Sequence, residues 1–490
     1  IIAIEPSPVD NKVIWVGTDD GHLQLTTDGG QSWKELSEEL PGFEAGSWIP
    51  QVFASTRNAG EAFVVVNDYR RNNWDSYLYH TTDYGKKFER LITNPDVDGY
   101  VQSFVQDPQV ENLLFAGTDY GLYFSIDKGD TWTKWTNNYP SVPTRDLKIH
   151  PREHDLIIGT FGRAFWVLDD IIPFRELAES AGSVLDKPMH AFAAKHAYMV
   201  EGVRSVTGAR FIADAEYDAT NKSYMPSLRL WIHPDSVAEK SKDKIKIQVK
   251  DDSGEIIRTY TRNAQKGINN IRWSMEMDGV RFISRRPTRK DSDLPGGMRV
   301  APGNYELVFS YKDQKDSTTI ELLPDPRYPF DQAGHDASIA YAEQVYETID
   351  LGYRAFEQMK ADKKAIKQVK NMYYQFDKDT KTTLDSLIKE INTEMADIEE
   401  LFMQEEGLKG IQRENNNISG YVWMTMRYMG DSDWSQGPSQ MTQVMYKKLE
   451  DSIQEAVDRI DSLHANQWKT FTDTVENAPK TLFEAREALN

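Results

Sequence analysis

Cysteine is absent from all 490 residues. That removes disulfides, thiolate metal sites and cysteine nucleophiles together, and it leaves the compartment open. Basic charge is scarce as well: 57 Lys and Arg stand against 77 Asp and Glu, a formal charge of −20. With no basic stripe to offset the repulsion, neither nucleic acid nor an anionic lipid surface is expected as a partner. About half of the excess follows residue 330, where acidic side chains read as solvated helix faces. No apolar run approaches the ~18 residues that span a bilayer, so no transmembrane segment is expected.

Metal and cofactor signals are missing too. "KIHPREHD" carries His150 and His154, but His-Pro before polar residues reads as a turn and no third ligand follows. "GTFGRAFW" (159–166) holds two glycines without the GxGxxG spacing, which excludes a nucleotide loop. No metal and no cofactor is expected.

What the chain does have is an internal repeat. "TTDGGQSW" (26–33), "TTDYGKKF" (81–88) and "SIDKGDTW" (125–132) share one pattern, and "VIWVGTDDGHLQLTTDGGQSW" aligns with "LLFAGTDYGLYFSIDKGDTW". Asp28, Asp83 and Asp127 recur at roughly the spacing of a four-stranded propeller blade. Each unit reads as apolar strand, Gly-Thr turn, alternating strand, Asp-Gly turn and an aromatic. In such a turn the aspartate accepts backbone N–H groups, the glycine supplies positive φ, and the aromatic buries beside it. The expected structural set is therefore Asp28, Gly30, Trp33; Asp83, Gly85, Phe88; and Asp127, Gly129, Trp132.

This phrase is the Asp-box, S/T-x-D-x-G-x-x-W/F, and the first third of the chain resembles the BNR repeats of sialidase-type and sortilin-type propellers. It looks more closely like the end of large bacterial proteins related to the VPS10/sortilin propeller, often labelled glycosyl hydrolase. The resemblance implies that the Asp-box aspartates lie at the blade periphery, away from catalysis. It implies too that further blades precede residue 1, so that a companion segment, from the same precursor or a separate chain, completes the ring. An exported location (periplasm, outer-membrane surface or extracellular) is implied with it.

Sialidase chemistry would need an arginine cluster, a tyrosine nucleophile and paired carboxylates. Arg70, Arg71, Arg145 and Arg163 sit near predicted strand ends, with Asp68, Tyr69, Asp146 and Glu153 close in sequence. The F/Y-R-I-P arginine motif is absent, however, and no Tyr–Glu pair can be assigned from spacing. "NDYRRNNWDSY" (67–77) is the most unusual polar-aromatic stretch: Tyr69, Arg70, Arg71 and Trp74 could line a ligand surface through guanidinium stacking, with Arg145 and Arg163 beside them. The alternative is a loop whose arginines brace neighbouring blades.

Residues 176–196 read as a linker. From 197 to 328, alternating strands ("SLRLWIHP", "KIKIQVKDDSGEIIRTYT", "APGNYELVFSYKD") predict one antiparallel sandwich. "GINNIRWSMEMDGVRF" and "PGGMRVAPGNYELVFSY" resemble a FlgD-type immunoglobulin-like module, with Trp273 and Tyr305 as packing residues. "RRPTRKDSDLPGGMR" (285–299) predicts an exposed loop. From 329 to 490, apolar residues at three- and four-residue steps predict an antiparallel helical bundle.

The expected fold class is thus multidomain β plus α: a partial β-propeller of about four blades over 1–175, an Ig-like sandwich and a C-terminal bundle. The expected function is a non-catalytic binding or scaffold protein of the bacterial envelope or surface. Its propeller loops and channel would hold a peptide, protein or glycan, and it could serve as a subunit of an envelope assembly. The alternative is a sialidase-like glycoside hydrolase whose active site lies largely in upstream blades.

Overall fold

The computed structural model describes residues 1–200, 223, 225–238, 242–287, 289, 292–404, 416–431 and 437–479. The polar interval between the predicted helical pairs falls mostly outside these residues.

Four antiparallel sheets follow one another in the chain, each a simple meander. The first is β1 (Ala3–Pro6), β2 (Ile14–Gly17), β3 (Leu23–Thr26) and β4 (Lys34–Glu35). The second is β5 (Trp48–Ala54), β6 (Ala62–Asp68), β7 (Asn73–Thr81) and β8 (Glu89–Ile92). The third is β9 (Val101–Gln106), β10 (Leu114–Thr118), β11 (Gly121–Ser125) and β12 (Thr133–Trp135). The fourth has three strands: β13 (Thr144–Ile149), β14 (Leu156–Thr160) and β15 (Phe165–Leu168).

Because side chains alternate across a strand, each sheet presents one cross-strand ladder to the sheet before it and another to the sheet after it. The backward ladders are Ile4–Val16–Gln24, Val52–Val64–Tyr79, Phe104–Ala116–Tyr123 and Leu147–Ile158–Trp166. The forward ladders are Glu5–Trp15–Leu25, Phe53–Phe63–His80, Val105–Phe115–Phe124 and Lys148–Ile157–Val167. Trp15 shares a core with Val52, Phe63 with Phe104, and Phe115 with Leu147. This explains why β6, "AFVVVND", is buried on both faces and reads as a continuous apolar run.

Among the described residues no fourth outer strand joins the last sheet, and α1 (Ile172–Glu179) takes its place. Phe174 of α1 packs edge-on against Phe124 at 5.0 Å and Trp135 at 5.4 Å. The helix is locked by a buried ion pair, Arg175 Nε to Asp107 Oδ2 at 2.9 Å.

Residues expected as a linker hold the end of α1 and a strand, β16 (Met189–Ala191). With β18 (Ser227–Ile232) and β21 (Gly267–Arg272) it forms a three-stranded sheet. That sheet packs on a five-stranded one ordered β17 (Ala197–Met199), β25 (Gln314–Pro324), β24 (Gly303–Tyr311), β19 (Lys244–Lys250), β20 (Ile256–Asn263). Both contribute to one core, where Trp273 meets Tyr305 at 5.2 Å. Part of the predicted 285–299 loop is strand: β23 (Gly296–Arg299) pairs with β22 (Glu276–Asp278).

Helices follow: α2 (Gln332–Asn371), α3 (Lys378–Phe402), α4 (Ile418–Asp431), α5 (Gln440–Leu463) and α6 (Lys469–Asn477). Asp377 caps α3 by accepting the Thr380 N–H at 2.8 Å, and Ser439 caps α5 through Thr442 at 3.1 Å. Ile349, Phe356, Ile391 and Ile453 sit in their shared core. Among the described residues, no helix is long and apolar enough to cross a membrane.

Candidate functional site

The repeated phrase forms three near-identical turns. In the third, Ser125 Oγ donates to Asp127 Oδ1 (2.7 Å) and accepts from the Gly129 N–H (2.8 Å), while Asp127 accepts from the Thr131 N–H (2.9 Å) and hydroxyl (2.6 Å). Asp28 repeats this with Thr26 and Ser32, and Asp83 with Thr81 and the N–H groups of Lys86 and Lys87. Gly129 needs its hydrogen side chain: φ is +100°, and a Cβ would lie 3.2 Å from Leu91 Cδ1.

These carboxyls are fully committed to their turns, and hydrogen bonding holds them ionised. The Ser32 hydroxyl and N–H keep Asp28 far below the ordinary carboxylate range. The Lys87 N–H lowers Asp83; burial raises Asp127, but its bonds to Thr131 and Ser125 together bring it below the usual value. A carboxyl depressed in the folded state contributes stability above its unfolded pKa and loses it as pH falls through the folded value. The contribution of these three turns to thermal stability should therefore be constant above about pH 4 and weaken progressively below it. Asp127→Ala should cost about 1–3 kcal/mol at neutral pH and shrink that acid dependence. Thermal melts from pH 3 to 6 check both; an unchanged acid limb in the variant would remove the turns from the explanation.

The aromatics of the three turns differ in environment. Phe88 is buried in the core with Leu36, and Trp132 Nε1 donates to the Leu91 carbonyl at 3.3 Å, so each packs on the preceding sheet. Trp33, expected to bury beside its turn, is 46 % exposed.

A second constellation forms at the connections of the second and third sheets. β6 runs into a single 3-10 turn, Tyr69–Arg71, closed by Asn72 in the left-handed region at φ 63°. Tyr69 stacks on Tyr100 with centroids 4.9 Å apart and lies 6.3 Å from Trp74 and 6.1 Å from Trp48. The Arg70 guanidinium sits 4.0 Å over Trp48. Trp74 and Tyr120, both more than half exposed, line one open cleft of about 500 Å³ with Tyr100, Ser76, Asn94 and Asp98. Gly99 lets this happen: φ is +75°, and a Cβ there would meet Tyr120 Cδ2 at 2.7 Å.

Polar groups surround the rings. Asp98 Oδ2 accepts from Lys134 Nζ at 3.0 Å, which lowers its pKa, and Asn94 Nδ2 donates to Asp75 Oδ1 at 2.5 Å. Burial pushes the Tyr100 hydroxyl up to about 12, with Asp119 adding to the effect. The buried atoms Trp48 Nε1, Asn67 Oδ1, Asp68 Oδ2 and Gln102 Oε1 have no hydrogen-bond partner among the described residues.

Of the predicted ligand-binding residues, the structure brings together Tyr69, Arg70 and Trp74. Arg71 turns away to brace the 44–47 loop: its Nη1 donates to the Ala45 carbonyl (2.7 Å), its Nη2 to Ser47 Oγ (3.0 Å), and its Nε to Asp68 (2.7 Å). Arg145 is exposed on β13, with its guanidinium 5.5 Å over Phe161. Arg163 is exposed in the β14–β15 turn. Glu153 bonds Lys195, Asp68 is buried under Arg71, and Asp146 is exposed on the fourth sheet. His150 Nδ1 accepts from the Glu153 N–H at 3.0 Å and His154 Nδ1 lies 2.9 Å from Arg175 Nη1. Among the described residues, no cluster of three His, Asp or Glu is placed to hold a metal ion. Trp48, Tyr100, Tyr120, Asn94 and Asp98 were not singled out by sequence, because the start of β5, the β8–β9 connection (Asn94, Asp98, Tyr100) and the β10–β11 turn are brought together only by the fold.

No family model matches the chain. Over 164 residues it is 27% identical to a probable oligoxyloglucan-reducing end-specific xyloglucanase of Neosartorya fischeri; the match takes in 31% of this chain and 19% of that protein's length. Among solved structures, it is similar to a GH74 xyloglucanase from Xanthomonas campestris (13% identity, TM-score 0.29, 69% of this chain and 47% of that one). It is also similar to YCF48 bound to D1 peptide (19% identity, TM-score 0.27, 34% of this chain and 51% of that one).

Proposed function

We propose that the chain is a non-catalytic glycan-binding protein, and that the Trp74–Tyr120 cleft is its binding site. In this reading, residues 1–175 are blades of a BNR/VPS10-like propeller and 197–328 a FlgD-like Ig sandwich. Residues 329–490 are the supporting bundle, and the protein works outside the cell membrane, where polysaccharides are met.

The carrying observation is the composition of the cleft: two exposed aromatic faces beside a carboxylate and a carboxamide. A pyranose has an apolar C–H face that stacks on such a ring and equatorial hydroxyls that need acceptors and donors at its edge. Asp98, held ionised by Lys134, is an acceptor, and Asn94 can serve as both. The xyloglucanase similarity supports a sugar over a peptide.

Titration with xyloglucan and cellulose oligosaccharides should give saturable binding. Trp74→Ala should weaken it roughly 10-fold to 100-fold and Asp98→Ala by about 10-fold, as expected for hot-spot and charged hydrogen-bond losses. Arg163→Ala should leave it unchanged. Binding insensitive to Trp74, or binding of peptides alone, would reject the reading.

Glycoside hydrolysis remains the second reading, favoured by one residue. Glu5 on β1 is half-buried, and that burial raises its pKa although Lys148 and the Ala54 N–H act to lower it. A raised carboxyl is what a general acid requires. Loss of reducing-end release in Glu5→Gln would support hydrolysis over simple binding.

A further inference from the structure

The sandwich meets its two neighbours through junctions of opposite character. Toward the helical bundle the contact is apolar: Met277 of β22 packs on the sandwich core, and Val280 just after it is buried in the bundle core, with Ile283 and Met298 packed against that same core. Arg258 of β20 fixes the segment through Asp278 Oδ1 at 2.6 Å. Sandwich and bundle therefore form one body.

Toward the last sheet, none of the described residues belongs to both cores, and opposite charges meet instead. Lys195, between β16 and β17, donates to the Glu153 carbonyl at 2.7 Å and to its carboxylate, and lies 3.9 Å from Asp155. Arg229 of β18 pairs with Asp170, just before α1, and donates to the Asp169 carbonyl at 3.3 Å. His190 of β16 lies 2.7 Å from Glu176 of α1 and 3.6 Å from Asp316 of β25. Phe192, edge-on to His190 at 5.0 Å, is the buried ring beside them. The sheet side thus supplies carboxylates and the sandwich side cations. None of the paired side chains is fully buried, so salt reaches them.

We infer that this second junction is an ionic clasp that opens, so that the four sheets and α1 turn as one unit while sandwich and bundle move as another. Exposed ion pairs are weakened by salt and replaced by water at little cost, whereas a shared apolar core is not. Units joined without a large apolar interface are free to move relative to each other. The chain crosses the junction once, over residues 180–188, and a hinge is built there. The Gly182 N–H closes α1 on the Leu177 carbonyl at 2.8 Å, and Ala181 and Gly182 both stand in the left-handed region, at φ 48° and 80°. The cleft of Trp74 and Tyr120 lies on the sheet unit, so opening the clasp changes the direction in which the cleft faces.

Small-angle scattering of the full chain tests this. Between about 0.01 M and 1 M NaCl the Debye length falls from ~30 Å to ~3 Å, and the radius of gyration of wild type should rise across that range. Lys195→Met/Arg229→Met should show the larger radius already at low salt and respond little to added salt, because the charges that salt screens are gone. Arg285→Met is the control: it removes a charged contact to Glu399 of α3 (2.8 Å) at the other junction, where the apolar core remains, so its radius should match wild type at every salt concentration. Circular dichroism monitors the fold, and if the double variant unfolds, the salt series of wild type decides alone. A wild-type radius that is the same at both salt extremes overturns the inference. So does a folded double variant that stays compact, or one that expands yet keeps the full salt response of wild type.

Discussion

Arg175→Met is expected to lower the stability of the β-sheet region by about 3–5 kcal/mol, the cost of leaving a buried charge without its partner. Arg175 and Asp107 are 5 % and 0 % exposed, and Arg175 Nη1 also reaches Gln109 Oε1 (2.8 Å) and His154 Nδ1 (2.9 Å). Asp107 divides its work: Oδ1 accepts the N–H groups of Gln109 and Val110 at 2.8 and 2.7 Å, while Oδ2 takes the guanidinium. Asp107→Asn added to Arg175→Met keeps the turn and removes the orphaned charge, so the double variant should recover much of the loss. His154 supplies a second readout. Burial first, and then Arg175, hold its pKa below the usual histidine value. A histidine depressed in the folded state costs stability as pH falls below about 6.5, so wild type should weaken there and Arg175→Met should show less of that slope. Denaturant unfolding of the full chain, followed at its first transition from pH 5 to 8, checks magnitude and sign together. A variant within about 0.5 kcal/mol of wild type would mean that α1 is not held by this pair.

Phe63→Ala should cost a similar amount, about 3–5 kcal/mol, through lost transfer energy and the cavity left behind. Its ring is fully buried, stacked on Phe104 at 4.5 Å from one side and on His80 at 4.4 Å from the other, so it joins the second and third sheets. Because Tyr100 and Tyr69 come from elements of those two sheets, the cavity should also loosen the cleft, and glycan affinity should fall without any contact residue being changed. Phe63→Leu, which keeps most of the volume, should restore both properties in part. A stability loss with unchanged affinity would show that the cleft is positioned locally, by the 69–71 turn alone.

The β character of the first third was legible because its cues are local. In 13–33 and 113–132 the Gly-Thr and Asp-Gly turns bound short alternating runs, and β2, β3, β10 and β11 form there. The helices after 330 were legible for the same reason, since heptad-like apolar spacing is a property of one segment. The cleft was not. Trp48 opens β5, Tyr69 and Trp74 flank the β6–β7 turn, and Tyr100 and Tyr120 come from the β8–β9 and β10–β11 connections, and no spacing rule links these places. Environment was equally hidden: Trp33 and Trp132 occupy the same place in one motif, yet the first is exposed and the second packs on the preceding sheet. Nor could sequence show that α1 replaces an outer strand, because Phe174 fills the space beside Trp135 from a helix, where the earlier sheets use a turn aromatic.

In the proposed function the chain holds a glycan without cleaving it. One titration tests it: xyloglucan oligosaccharides added to the full chain, with heat of binding and new reducing ends measured in the same samples for wild type and Trp74→Ala. Saturable heat that falls in Trp74→Ala, with no reducing ends from either protein, is the predicted result. Reducing ends that accumulate with wild type and vanish in Glu5→Gln, or no binding heat at all, would contradict it.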